Sequence, residues 1–164
     1  MIRSIVWTVV FGVVAIILQS AVIGMIPIFE IKPDLLLCVI VFSAYVNGTM
    51  TGQVSGFFAG LMQDFLSQSP LGLNCLVRTV IGALAGLFKG AFFLDLIFMP
   101  AILCALATLL KALVTLLLHL FMGSVIPNPF VDTGIWVELG LNSLFAPLLF
   151  LLLKNFKPIY AGRG

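Results

Sequence analysis

Residues 48–90 read GTMTGQVSGFFAGLMQDFLSQSPLGLNCLVRTVIGALAGLFKG, and the fold turns on that run. Gly48, Gly52, Gly56 and Gly60 recur at every fourth position, as do Gly82, Gly86 and Gly90. In an apolar helix, glycines at i, i+4 and i+8 leave a groove nearly along one face, where a second backbone can approach closely. Between the two series stands Asp64-Phe65-Leu66-Ser67-Gln68-Ser69-Pro70-Leu71-Gly72. Its Ser67-Gln68-Ser69-Pro70 segment is polar, and proline has no N–H with which to extend a helix. The stretch therefore predicts a tightly packed helical hairpin in a membrane, with the acidic turn at its tip. Such spacing occurs in membrane proteins of many functions, so it speaks to structure and not to activity.

Composition points the same way. The chain has 164 residues, 62% apolar and 9% charged, and a mean hydropathy of +1.28. A soluble domain carries about 25% charged residues, so this chain lacks the polar surface of one. A helical span takes about 20 apolar residues, and six would take about 120. The apolar runs are continuous rather than alternating, which argues against a β-barrel. Cys38, Cys75 and Cys104 sit in apolar segments without metal-ligand spacing and read as small buried hydrophobes. The basic residues are dispersed, which suggests no nucleic-acid partner. No metal and no cofactor is expected.

In chain order, the expected spans are 5–26, 35–46, 50–66, 73–93, 97–122 and 135–153, in a single transmembrane domain covering 1–164. The first could be confused with a signal peptide because Arg3 precedes it, but its apolar run is too long for a signal core and no clear cleavage site follows. Placing the N-terminus in the cytoplasm puts Arg3, Lys89, Lys154, Lys157 and Arg163 on that side. Lys32 stands on the other, beside Glu30, Asp34 and Asp132. Five basic residues against one is a clear positive-inside bias. Both termini are predicted cytoplasmic, with the Asp64–Gly72 tip outside.

Several polar residues fall inside these spans, where charge is rare and usually faces protein or water. Asp64 and Arg78 each lie seven residues from Leu71, at similar depth in a hairpin. They read as a structural pair or as side chains reaching the outer interface, with an ion- or substrate-binding pair as the functional alternative. Lys111 falls near the middle of the fifth span, where a lysine costs about 2.5–3.5 kcal/mol to insert. No carboxylate is evident at its depth. His119 and Glu138 are level across the Pro127–Pro129 turn, and a structural role is expected of the histidine. No nucleophile–base set, phosphate-binding loop or metal cluster can be assembled, so catalysis is not expected.

Three motifs resemble a known family. Lys32-Pro33-Asp34-Leu35-Leu36-Leu37 opens the second span. Gly56-x-x-x-Gly60-Leu61-x-x-Asp64-x-x-Ser67-x-Ser69-Pro70-Leu71-Gly72 is followed by a glycine- and alanine-rich helix. Asn142-Ser143-x-x-x-Pro147 precedes an apolar run and a basic tail. Together they resemble the rod shape-determining protein MreD family over about 30–153; Arg78 is not part of that pattern. The resemblance implies a non-enzymatic inner-membrane subunit of the bacterial elongation machinery, beside the bitopic protein MreC. Through MreC it would be coupled to MreB filaments, the glycosyltransferase RodA and a class B penicillin-binding transpeptidase. It also implies an all-α bundle of six transmembrane helices similar to the substrate-binding subunits of energy-coupling-factor transporters.

Two functional readings follow. In the first the protein is a scaffold, with Asp64, Ser67, Ser69, Pro70 and Gly72 shaping the tip and Pro33, Asp34, Asn142 and Pro147 as further motif positions. Asp64 is then a local cap for the amides after the turn, and apolar faces bind MreC. In the second it is a small-molecule-binding subunit of a transporter, with Lys111, Asp64, Arg78 and His119 converging on an outer pocket. The motif and the missing catalytic cluster favour the scaffold.

Overall fold

Ten consecutive residues, Leu36–Tyr45, are all buried, and the fold is arranged around them. The computed structural model describes residues 2–23, 33–67, 70–90, 98–126, 128–131 and 134–156. Within them the chain forms α1 (Ile2–Ile23), α2 (Leu35–Asn47), α3 (Thr49–Leu66), α4 (Leu73–Leu87), α5 (Phe98–Met122) and α6 (Gly134–Lys154), with a 3₁₀ turn at Gly123–Val125. Because α2 (LLLCVIVFSAYVN) is apolar on every side, it belongs in an interior rather than on a face. All five other helices touch it. Phe42 of α2 meets Phe150 of α6 edge-on, with ring centroids 5.0 Å apart.

The six expected helices are present, and three of them are long and apolar enough to cross a membrane: Ile2–Ser20 of α1, all of α5 and all of α6. At 1.5 Å per residue, α2 and α4 reach only about 20 and 22 Å, short of a hydrocarbon core of about 30 Å. α4 ends at Leu87 rather than at 93. Phe88 and Lys89 donate to Ala85 and Gly86 in tightened i→i−3 bonds, and Gly90 follows at φ +71°. The far end of the first expected span, 24–26, lies outside the described residues. Surfaces turned away from α2 carry large apolar side chains, among them Ile17, Phe65, Leu120 and Leu144, as suits a lipid-facing surface.

Hairpin α3–α4 is the most extensive helix pair, and glycine makes it so. A Cβ on Gly52 would fall on the Gly82 carbonyl oxygen, and one on Gly82 would fall on that of Gly52. Gly56 lies against the Arg78 carbonyl and Gly86 against the Thr49 backbone, while a Cβ at Gly60 would stand 2.6 Å from the Cys75 Cα. The ends of the two series do other work. Gly48 joins α2 to α3 at φ +99°, with the Lys89 side chain over it. Gly90 lies beyond α4, with nothing near its Cβ direction.

These contacts make a graded prediction. Gly52→Ala and Gly82→Ala are expected to lower stability in detergent by about 1–3 kcal/mol or more, since each new methyl meets backbone that cannot rotate away. Gly140→Ala, inside α6 with open space around it, is expected to be neutral or stabilising by up to about 1 kcal/mol. Thermal unfolding of the three purified variants checks the ranking.

Candidate functional site

The first turn of α2 is where charge enters the interior. Asp34 is its N-cap, and its Oδ1 accepts from the Leu37 N–H at 3.0 Å. A carboxylate there satisfies an otherwise orphan amide and complements the helix dipole. The same carboxylate accepts from Arg78 Nη2 of α4 through both oxygens, at 2.9 and 3.0 Å, and from Lys111 Nζ of α5 at 2.9 Å. Lys111 donates a second hydrogen bond to Glu138 Oε1 of α6. Asn142, one turn after Glu138, accepts from the Asp34 backbone N–H at 2.7 Å and donates to Thr108 Oγ1 at 3.0 Å. Gln63 of α3 accepts from Arg78 Nε. One cluster thus ties α2, α3, α4, α5 and α6 together.

Its electrostatics balance. Two carboxylates face two cations, so the cluster is formally neutral, and its short charge-assisted hydrogen bonds offset part of the desolvation cost of burying them. Arg78 and Asp34 are nearly inaccessible, with side-chain exposures of 2% and 4%, while Lys111 is 26% exposed. A fork-shaped guanidinium suits the deep position and a flexible ammonium the shallower one. One donor, Arg78 Nη1, is buried without a partner. The charged groups are occupied by one another, and their bonds cross-link α2, α4, α5 and α6.

This arrangement corrects several expectations. Arg78 does not pair with Asp64; it turns inward to Asp34 and Gln63. Asp64 accepts instead from the backbone N–H groups of Gly72, Asn74 and Cys75 and from the Asn74 side chain, each at 3.0 Å. It therefore closes the hairpin tip by capping α4, as local capping by Asp64 requires. Lys111 has two carboxylate partners, one from an element distant in sequence. His119 is not joined to Glu138: its Nδ1 meets the Ile126 carbonyl. Lys111 and Arg78 share Asp34, but Asp64 and His119 sit elsewhere, so the four residues do not converge on one pocket.

The remaining motif residues are structural in position. Pro33 is buried just before the N-cap. Ser67 ends α3, the Pro70 carbonyl accepts from the Leu73 N–H, and Gly72 starts α4 in the left-handed conformation at φ +93°. Pro147 lies inside α6. Ser69 is outside the described residues. Gln63 and Thr108 escaped the sequence reading. Thr108 carried a spacing signal, since it stands three residues before Lys111 on the same helix face, whereas Gln63 meets Arg78 only across the hairpin.

Removing Asp34 should cost more than removing any other member. Asp34→Ala is expected to destabilise by about 3–5 kcal/mol, because two cations lose their buried partner, and Lys111→Met by less, given its exposure. In a double-mutant cycle with Arg78→Met, the two losses should be non-additive by about 1 kcal/mol or more. Chemical unfolding in detergent reads all of these, and strict additivity would contradict the ion pair.

No curated protein and no solved structure matches the chain. A family model does, that of the rod shape-determining protein MreD, and it matches residues 1–156. The Pro33-Asp34 opening of α2, the Asp64–Gly72 tip and Asn142 all lie within that match, and the chain belongs to the MreD family.

Proposed function

We propose that this protein is a non-enzymatic scaffold subunit of the bacterial rod complex, a six-span, single-domain protein of the inner membrane that binds MreC. All six helices cross, α2 and α4 as short segments sheltered by their neighbours. Both termini are cytoplasmic, on the side of Lys89 and Lys154, and the Asp64–Gly72 tip is external. Through MreC the subunit connects MreB to RodA and its class B penicillin-binding partner, and so supports cell shape and lateral peptidoglycan synthesis. The observation that carries this reading is the family match, which takes in every helix of the bundle and not one motif. Two structural features support it. The interior ionisable groups bond to one another instead of lining a substrate pocket, and the outward faces are rich in large apolar side chains that partner helices can cover.

A pull-down of the tagged protein from bacterial membranes, read by mass spectrometry, tests the reading. MreC and the RodA-containing synthase are expected, at yields that fall severalfold or more in Gly56→Leu, whose side chain would push α4 away from α3. Recovery of an ATPase module in their place would overturn the scaffold in favour of a transport subunit. Undiminished MreC in a folded Gly56→Leu protein would show that partner binding does not depend on the hairpin.

A further inference from the structure

The C-terminal ends of α1 and α3 run side by side and border an open cavity of about 240 Å³ lined by Ile16, Gln19, Ser20, Gln63, Leu66 and Ser67. Gln19 and Ser20 are the only polar side chains between Val9 and Ile23, and on the facing wall α3 ends at Leu66 and gives way to the polar Ser67. The cavity therefore opens where a bilayer's hydrocarbon gives way to its head groups. Its volume lies just under the roughly 300–1,000 Å³ of small-molecule sites, enough for one head group and too narrow for a helix about 10–12 Å across.

The lining selects the chemistry of the occupant. Arginine has only donors, so Gln63 must offer its carbonyl oxygen to Arg78 Nε. That leaves the Gln63 amide NH₂ as the donor for the cavity it lines. Ser67 Oγ receives only a long hydrogen bond, 3.5 Å from Asn74 Nδ2, and its hydroxyl proton is free to donate. Gln19 and Ser20 add one amide and one hydroxyl, each able to donate and accept. Among the described residues, the lining carries no ionised group. Arg78 stands behind Gln63 and is committed to Asp34, while Lys111 is held by Asp34 and Glu138. Among the described residues, a phosphate would find no free counter-charge here. Hydroxyls that both give and take hydrogen bonds match the lining, and Ile16 and Leu66, with exposed Ile17 and Phe65 beside them, offer a bed for alkyl chains.

We propose that this α1–α3 cleft binds the uncharged, hydroxyl-bearing head of a glycolipid, an assignment that stands apart from the scaffold reading. Native mass spectrometry of the full chain in detergent tests it with three probes of matched acyl chains: monoglucosyl-diacylglycerol, phosphatidylethanolamine and phosphatidylglycerol. The glucolipid should bind most tightly. Gln19→Leu/Ser20→Ala, which leaves Gln63 and the Asp34 cluster intact, should weaken that binding about tenfold, the worth of one or two hydrogen bonds, and leave the phospholipids unchanged. Ser67→Ala, a milder change, should weaken it by a smaller factor and serves if the double variant does not fold. Preferential, variant-sensitive binding of phosphatidylglycerol would overturn the proposal in favour of an anion site. Equal binding of all three lipids, unaffected by the variants, would overturn it in favour of a merely hydrated cleft.

Discussion

A helix of 13 residues is about 20 Å long, too short to carry both its ends to a bilayer's head groups by itself, so the N-terminus of α2, with its otherwise unpaired amides and its Asp34 carboxylate, must be neutralised within the protein. This constraint shapes most of the molecule. In hydrocarbon an unsatisfied backbone amide or a lone carboxylate is costly enough to exclude the structure that contains it. The neighbours supply the remedy, with Arg78 and Lys111 bringing charge, Asn142 closing the Asp34 backbone, and Gln63 and Glu138 each giving one of the cations a second partner. Each of these bonds also crosses between helices, so satisfying one short helix fixes the relative depth of four others.

The second organising contact is the α3–α4 backbone approach. Glycine at positions 52, 56, 60, 82 and 86 lets two helices meet main chain to main chain, which is how membrane helices associate when water is not there to drive them. The two systems are coupled. Arg78 presents its carbonyl to Gly56 and its guanidinium to Asp34, so the close packing of the hairpin sets where the cation stands. The tip is closed by a third device, the Asp64 carboxylate over the first amides of α4, with Gly72 supplying the positive φ the turn requires.

The scaffold role proposed above is consistent with such rigidity. On that reading the protein has to present the same surface at all times, and an interior whose charges are matched across four helices has few alternative arrangements. The partly exposed Lys111–Glu138 pair is the place where that interior comes nearest to the outside.

The chain by itself determined a good deal. Apolar runs of helical length, glycines spaced by four and a polar turn with proline specify a helical membrane hairpin because each acts locally, through length, backbone clearance or a missing N–H. Local capping by Asp64 was legible for the same reason, since its amide partners lie within 11 residues. The family motifs were also read directly. What only the tertiary structure decided is which charges meet. Arg78 stands 44 residues from Asp34, and Lys111 stands 77. Depth along a hairpin suggested Asp64 as the partner of Arg78, but depth does not specify the direction in which a side chain points around its helix. That direction follows from the glycine-set packing of α3 on α4 and from the burial of α2 on every side, and both exist only once the helices have assembled.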